Sequence, residues 1–439
     1  MANSAVGALP RRSFAIIFAV SMATAMGNTG LISVLPAIGR SIGIPDAMVS
    51  AIFSLSALLW AFSSPSWARA SDRHGRKPLM LVGLAGFMVS MTLCGVVVSA
   101  GLHHLAAPMV IFVFFLLARA LFGLFGAASN PATQAYVAER TPPENRTQAM
   151  ASLAGAFGMG TVIGPFLAPL FIYPVIGLAG PLYTFALIAL VMLFVVWRWL
   201  PDQKVAAEAQ RPRRPVVGGP KERGMWRDPR ITPFLIYGFI VATCQTAQAQ
   251  TLGFLIIDKL GKTPAEAQFY IAVAMMFGAV AGLLAQWGLI RMFEMTPRQL
   301  LRWGVAIAAT GNLIVALAPA DDIGFYVVVT GYALSSLGFG FARPGFTAGS
   351  SIAVGIDEQA RVAGAIAAVN GINVIFAPAF VFFYQHYGPL PFLLNTALMV
   401  GMLVYAFRNT ALKNADPKPA TREATTMATL EKSDEGGAA

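Results

Sequence analysis

The chain consists largely of long apolar stretches separated by short polar joints. A helix needs about 20 mostly apolar residues to cross the hydrocarbon core of a bilayer, and these stretches reach that length. Only 12% of the residues are charged, whereas a soluble domain carries about 25%. A membrane β-barrel would show alternating segments of about ten residues, which are absent here. The sequence therefore predicts an all-α membrane protein with many spans.

We predict twelve spans, because turn and charge signals interrupt the apolar stretches eleven times. Their predicted ranges are 14–36, 47–68, 78–100, 108–137, 147–171, 180–200, 231–257, 267–290, 299–318, 323–354, 360–384 and 389–408. The first stretch is too long for the core of a signal peptide, which indicates an uncleaved span. A Pro-, Gly- and Arg-rich linker and a polar tail complete the chain.

Positive charge predicts the orientation of the spans. With the N-terminus in the cytoplasm, 26 of the 31 lysines and arginines lie in or beside cytoplasmic segments, and three lie in outer loops. Cytoplasmic loops are enriched in these residues, so we predict cytoplasmic termini and a multi-pass protein of the bacterial inner membrane. The net charge of +11 then needs no nucleic-acid partner.

The two halves of the chain share an internal pattern. Asn130-Pro131 and Arg343-Pro344 are X-Pro pairs inside predicted spans, and their prolines are 213 positions apart. Pro165 and Pro378 have the same offset of 213. Duplication explains both offsets, although Ala, Gly and Pro are common enough here for a chance match. Internal repeats around a central site occur in many secondary transporters.

Three motifs resemble those of the major facilitator superfamily. The loop "DRHGRK" between spans 2 and 3 is similar to the superfamily's loop signature, although Ala68 replaces its leading glycine. Span 4 carries an R-x-x-x-G pattern that begins at Arg119. Span 5 is similar to the G-x-x-x-G-P-x-x-G-G pattern of the drug/proton antiporter branch, although it ends in Ala168-Pro169. The tetracycline and multidrug exporters are the members that the chain most resembles.

The resemblance implies two six-helix bundles that rock about a midplane site. We expect bundles over 1–200 and 231–410, a cytoplasmic linker over 201–230 and a disordered cytoplasmic tail over 411–439. In this superfamily the loop after span 2 holds the inner helix ends together when the protein faces outward. The span 5 glycines and proline permit a close, bendable contact, which we expect between the bundles, with a generic helix contact as the alternative. The expected gating residues are Asp72, Arg73, Gly75, Arg76, Glu139, Arg140, Gly160, Gly164 and Pro165.

Two arginines, Arg119 and Arg343, fall inside predicted spans. A charge at the centre of a span costs about 2.5–3.5 kcal/mol and usually lines a cavity. The superfamily's cavity is lined chiefly by spans 1, 4, 7 and 10, where both arginines and the densest polar stripes lie. The alternatives are amides that join helices and an Arg343 that anchors the cytoplasmic end. The candidate cavity residues are Asn28, Arg119, Asn130, Gln245, Gln248, Arg343, Asn370 and Asn373.

Together these features predict proton-driven export of a small amphiphilic or anionic compound. Span 1 lacks the acid that related exporters often have, so Asp258 is the nearest proton-coupling candidate, unless it is an ordinary interfacial residue. Proton-coupled uptake of an organic anion is the alternative. A membrane enzyme or a non-transporting sensor is more remote, since no nucleophile or metal motif is evident. The expected partners of this monomer are substrate, protons and lipid, with no cofactor.

Overall fold

The computed structural model describes residues 10–202, 227–319, 322–355, 358–413 and 415–416. Within these ranges the chain is helical, and twelve helices are long and apolar enough to cross a membrane, which confirms the predicted number of spans. Most of the predicted linker and tail lies outside the described residues. The helices are α1 (Arg11–Ile42), α2 (Asp46–His74), α3 (Arg76–Leu102), α4 (Pro108–Arg140), α5 (Gln148–Phe171), α6 (Gly180–Trp199), α7 (Thr232–Leu260), α8 (Pro264–Met292), α9 (Pro297–Ala316), α10 (Ile323–Ile352), α11 (Arg361–His386) and α12 (Leu390–Arg408).

Several helices extend beyond the predicted spans. α1 continues through Pro36 to Ile42 and ends at Gly43, whose φ of 85° suits glycine. The charged residues after span 2 continue α2 to His74, so they are helical and do not form a loop. Gly75, with φ 96°, is the single residue between α2 and α3. A glycine tolerates that backbone angle without steric cost, which makes the joint very short.

Two prolines change the helix geometry at the centre of the molecule. A proline has no N–H, so the carbonyl four residues earlier loses its helical partner. In α4, Pro131 follows a 3-10 turn over Gly126–Ala128. In α11, Pro378 follows a 3-10 turn over Asn373–Phe376, and the carbonyl of Val374 accepts from the N–H of Ala377 in place of the N–H that Pro378 lacks. Ser54 of α2 also donates a hydrogen bond of 2.8 Å to that carbonyl, which adds a polar contact between α2 and α11.

The two halves of the chain, α1–α6 and α7–α12, pack differently at the two ends. We call the end that carries Arg40 and Asp258 the Arg40 end, and the opposite end, with Asp72 and Glu139, the Asp72 end. A core shared by both halves lies toward the Arg40 end and includes Ile38, Ile42, Leu255, Ile256 and Ile271. Toward the Asp72 end each half has its own core, and these contain Ile17, Met80 and Tyr136 in one and Phe234, Val305 and Phe346 in the other. The halves are therefore joined most extensively at the Arg40 end.

Four helix pairs carry the contact between the halves. α1 packs against α7 and α8, α2 packs against α11, and α5 packs against α8. The outer faces of other helices expose large apolar side chains, such as those of Leu117, Leu187 and Phe194. Exposed apolar surface on this scale is unusual for a soluble monomer and is what a lipid-facing surface requires.

Candidate functional site

Arg119 lies inside the first half of the chain, with only 1% of its surface exposed. Its Nη2 donates to Oδ1 of Asn28 in α1, and its guanidinium carbon lies 4.3 Å from the ring centre of Phe122 and 5.2 Å from that of Phe53. Nε and Nη1 have no hydrogen-bond partner among the described residues. The expectation that Arg119 lines an open cavity is therefore wrong for this conformation.

Asn130 lies on a different face of α4 from Arg119, because the intervening 3-10 turn rotates the helix. A 3-10 residue turns about 120° against about 100° in an α-helix, so three of them add roughly 60°. Asn130 is exposed and accepts a hydrogen bond of 2.8 Å from Gln134. The expected polar stripe from Arg119 to Asn130 is thus split between a buried face and an exposed one.

Arg343 is the centre of the polar cluster that the structure assembles in the second half. Its side chain is exposed although it lies within α10. Its Nη1 lies 3.4 Å from Oε1 of Gln245 in α7, and its Nη2 lies 3.2 Å from Oδ1 of Asn370 in α11. An exposed guanidinium ringed by amides from neighbouring helices fits a water-filled cavity, since lipid would leave its remaining donors unpaired.

Two of the candidate amides hold helices together. Gln248 is 2% exposed and accepts a hydrogen bond of 2.8 Å from Ser335 of α10. Asn373 is 3% exposed and accepts one of 2.6 Å from Thr246 of α7. Each forms an interhelical hydrogen bond within the second half, of the kind that joins helices in membranes. Neither lines a cavity in this conformation.

At the Asp72 end, Arg76 joins α2, α3 and α4. Its Nη1 lies 2.6 Å from Oδ1 of Asp72, and its Nε donates to Oε1 of Glu139 at 2.9 Å. Glu139 also lies 3.7 Å from Nη1 of Arg140, while Arg73 is exposed. The joint therefore contacts the end of α4 through Arg76 and Glu139, and both residues belong to the first half.

Sequence reasoning missed a corresponding cluster in the second half. Arg230, just before α7, pairs with Asp228 at 2.7 Å and with Glu358, between α10 and α11, at 3.0 Å. The hydrogen bonds and charge of Arg230 lower the pKa of the Glu358 carboxyl. Its position before α7 and that of Glu358 before α11 were visible in the sequence, but their proximity was not.

Gly160 and Gly164 bring α5 against α1 of the same half. A Cβ at Gly160 would lie 2.3 Å from the carbonyl oxygen of Met22, and one at Gly164 would lie 2.2 Å from that of Met26. The backbones of α1 and α5 therefore touch directly. The sequence predicted that these glycines contact the other half. That prediction is wrong, because both glycines face α1 of their own half. Pro165 follows directly in the same helix.

A seam of polar contacts joins the halves from the centre of the molecule to the Arg40 end. Ser50 donates to Gln250, and Gln268 Nε2 lies 3.4 Å from Oγ of Ser33. At the surface, Arg40 pairs with Asp46 of its own half at 2.8 Å and with Asp258 of the other half. The sequence indicated Asp258 as a polar residue near a helix end but did not indicate these partners.

Comparison with known proteins settles the family. The model of the Major Facilitator Superfamily matches residues 17–378. The chain belongs to the major facilitator superfamily. It is therefore a multi-pass membrane transporter of small molecules and not an enzyme.

Curated relatives of this transporter include bacterial resistance proteins. It is 26% identical over 376 residues to multidrug resistance protein 2 of Bacillus subtilis, covering 83% of this chain and 87% of the relative. It is 25% identical over 377 residues to the class C tetracycline resistance protein of Escherichia coli, covering 81% of this chain and 85% of the relative.

Its fold also matches solved structures. A bacterial homologue of the human lysosomal transporter Spinster, crystallised in an inward-facing and unoccupied conformation, superposes with a TM-score of 0.71 at 14% identity. The superposition covers 94% of this chain and all of that one. At such low identity the likeness shows a common fold.

Proposed function

We propose that this transporter exports a small amphiphilic or anionic compound from the bacterial cytoplasm, driven by protons. Its relatives named for multidrug and tetracycline resistance support export. The two halves would act as six-helix bundles, over 1–200 and 231–410, that rock about a midplane site. We further propose that the protein is a monomer in the inner membrane and that both of its termini lie in the cytoplasm.

The packing of the two halves is the observation that carries the proposal. A shared core closes the Arg40 end, whereas separate cores lie toward the Asp72 end. The distribution of lysine and arginine supports a cytoplasmic position for the Asp72 end. In that orientation this conformation is closed to the outside and accepts substrate from the cytoplasm, as an exporter in its loading state should.

Arg343 is the proposed contact for an anionic substrate. It is exposed, and its two described hydrogen-bond partners, Gln245 and Asn370, are neutral amides. A guanidinium has five N–H donors, so the cluster leaves donors for a carboxylate or sulfonate. Gln245 and Asn370 would hold the guanidinium in position between substrates.

The Asp72 end supplies the proposed cytoplasmic gate. When the molecule opens outward, the cytoplasmic helix ends of the two halves must meet. Asp72 has 65% of its side chain exposed in this conformation, so it is free to contact the other half. Arg76 and Glu139 would hold the short joint at Gly75 in shape for that contact.

Proteoliposomes with an imposed pH gradient test the function. We expect wild-type protein to move anions from a panel of anionic, zwitterionic and cationic compounds against their gradient. Arg343→Gln should weaken the apparent affinity for those anions by about tenfold to a hundredfold, because a hydrogen bond to a charged group contributes about 1.5–3 kcal/mol. Initial rates measured across anion concentrations provide the comparison.

Arg343→Lys is the matched control, since it keeps the charge and should retain part of the affinity. A cationic compound of similar size should show no loss in Arg343→Gln. If no compound moves in either direction under a pH gradient, proton-driven transport is wrong. Accumulation that follows the proton inward would instead support the alternative, proton-coupled uptake of an organic anion.

A further inference from the structure

Four side chains at the Arg40 end form a charged bridge between the halves, and we call them the Arg40 cluster: Arg40, Asp46, Asp258 and Tyr384. Arg40, near the end of α1, donates to Asp258 of α7 through Nη1 and, at 3.0 Å, through Nη2. Tyr384 of α11 donates to the same carboxylate. The cluster thus ties α1 to α7 and α11 across the seam.

The two carboxylates that share Arg40 have unlike surroundings. Asp46 belongs to the same half as Arg40, has 9% of its side chain exposed, and accepts from Nε at 3.1 Å and from Nη2 at 2.8 Å. It is also the first residue of α2, where the helix dipole stabilises a negative charge. Asp46 therefore retains Arg40 when the halves separate.

Asp258 is placed where water can reach its carboxylate. Its side chain is 44% exposed, and it lies two residues before the end of α7 at Leu260. The C-terminal end of a helix disfavours a negative charge. A cavity of about 650 Å³ opens beside it, lined by Arg40, Asp46, Lys259, Tyr384 and Gln385 among others. Water at this end of the molecule can therefore deliver a proton to Asp258.

We propose that Asp258 is the external proton site of this transporter, and that its protonation releases the Arg40 end. This inference rests on the proposed proton-driven export. A proton on the carboxylate removes the negative charge that attracts Arg40 across the seam, while Arg40 keeps its pair with Asp46. The half that contains α7 and α11 can then move away, so acid on the outside favours the outward-open state.

The other charged and titratable groups at this place do not replace Asp258. Tyr384 acts as a donor to the carboxylate, and Lys259 donates to the carbonyls of Ala318 and Pro319 in the same half. Arg40 keeps its charge at any pH at which the protein is studied. Of the two acids, only Asp258 forms its ion pair across the seam, so its protonation weakens the contact between the halves.

Spin-label distances across the Arg40 end test this inference without any transported compound. Labels on Leu105→Cys and Lys262→Cys, in the loops before α4 and α8, report the separation of the halves in lipid nanodiscs. Wild-type protein should be mostly closed at about pH 8, and its open fraction should rise as the pH falls toward about 4, the ordinary pKa of an aspartate. Asp258→Asn, with no charge to lose, should be mostly open at both pH values.

Three further variants make the result specific. Arg40→Gln should also be open at both pH values, Asp258→Glu should keep the acid response, and Asp72→Asn, at the other end, should respond like the wild type. The inference is overturned if Asp258→Asn is closed at about pH 8 and opens on acidification as the wild type does. An acid-dependent opening that needs Asp258, in a protein that shows no flux under a pH gradient, would support this site and refute the proposed proton-driven export.

Discussion

Arg119→Met is expected to lower the transport rate by at least about tenfold while leaving the free energy of unfolding within about 2 kcal/mol of the wild type. Arg119 is almost fully buried, and its side chain has one hydrogen-bond partner, Asn28, among the described residues. Methionine fills a similar space and removes a charge that is costly inside a membrane. Against that gain, the variant loses the ring contacts of the guanidinium and leaves Oδ1 of Asn28 without its donor. A buried charge is costly inside a membrane. If its removal barely changes the free energy of unfolding, a role in transport explains why the chain keeps Arg119.

Transport rates and thermal unfolding should be measured on the same preparation of Arg119→Met. Arg302→Met is the matched control, because Arg302 also stacks on an aromatic ring, that of Phe407, at 4.1 Å, but lies near the start of α9. We expect it to transport at nearly the wild-type rate. A wild-type rate in Arg119→Met would contradict a transport role, and a large loss of stability would show that Arg119 serves the fold.

Gly164→Ala is expected to destabilise the protein by about 2 kcal/mol or more, since overpacking a close contact costs about 1–3 kcal/mol. The new Cβ would lie 2.2 Å from the carbonyl oxygen of Met26 and 2.6 Å from Oγ1 of Thr29. A backbone carbonyl cannot turn aside as a flexible side chain can, so α1 and α5 must move apart. Denaturation curves in detergent, together with the yield of monodisperse protein, measure the effect.

Gly158→Ala, in the same helix, is the control for Gly164→Ala. Its Cβ would meet only Leu283, at 3.4 Å, which is ordinary contact, and alanine favours a helix over glycine by about 0.5–1 kcal/mol. The control should therefore be as stable as the wild type or slightly more stable. Equal stabilities for the two variants would contradict the direct backbone contact between α1 and α5.

Local sequence signals predicted the helices well, because each depends only on neighbouring residues. Apolar length gave the number of spans, and the charged joint at Gly75 gave the contact of Arg76 with Glu139. The family resemblance located this joint, and the charged end of α4 offered Glu139 as its partner. The charged residues before Gly75 were nevertheless misplaced in a loop, since charge alone does not end a helix at the membrane surface.

Side-chain direction and long-range pairing were not predictable in the same way. Arg119 and Asn130 fall on one face of an ideal helix, but a 3-10 turn separates them. Arg40 and Asp258 are 218 residues apart, and nothing in either local sequence indicates the other. Ser54 donates to the carbonyl of Val374, which lies 320 residues along the chain. These features depend on how the helices pack, which the pattern of a single helix does not contain.

The sidedness of a cysteine at the central site tests alternating access most directly. Gln245→Cys, in a background in which the buried Cys94 and Cys244 are replaced by alanine, would be exposed to a membrane-impermeant maleimide from one side at a time. In the resting state at neutral pH, we expect labelling from the cytoplasmic side and protection from the outside. Acidifying the outside should reverse this pattern. Simultaneous labelling from both sides, or protection from the outside under every condition, would contradict alternating access at this site.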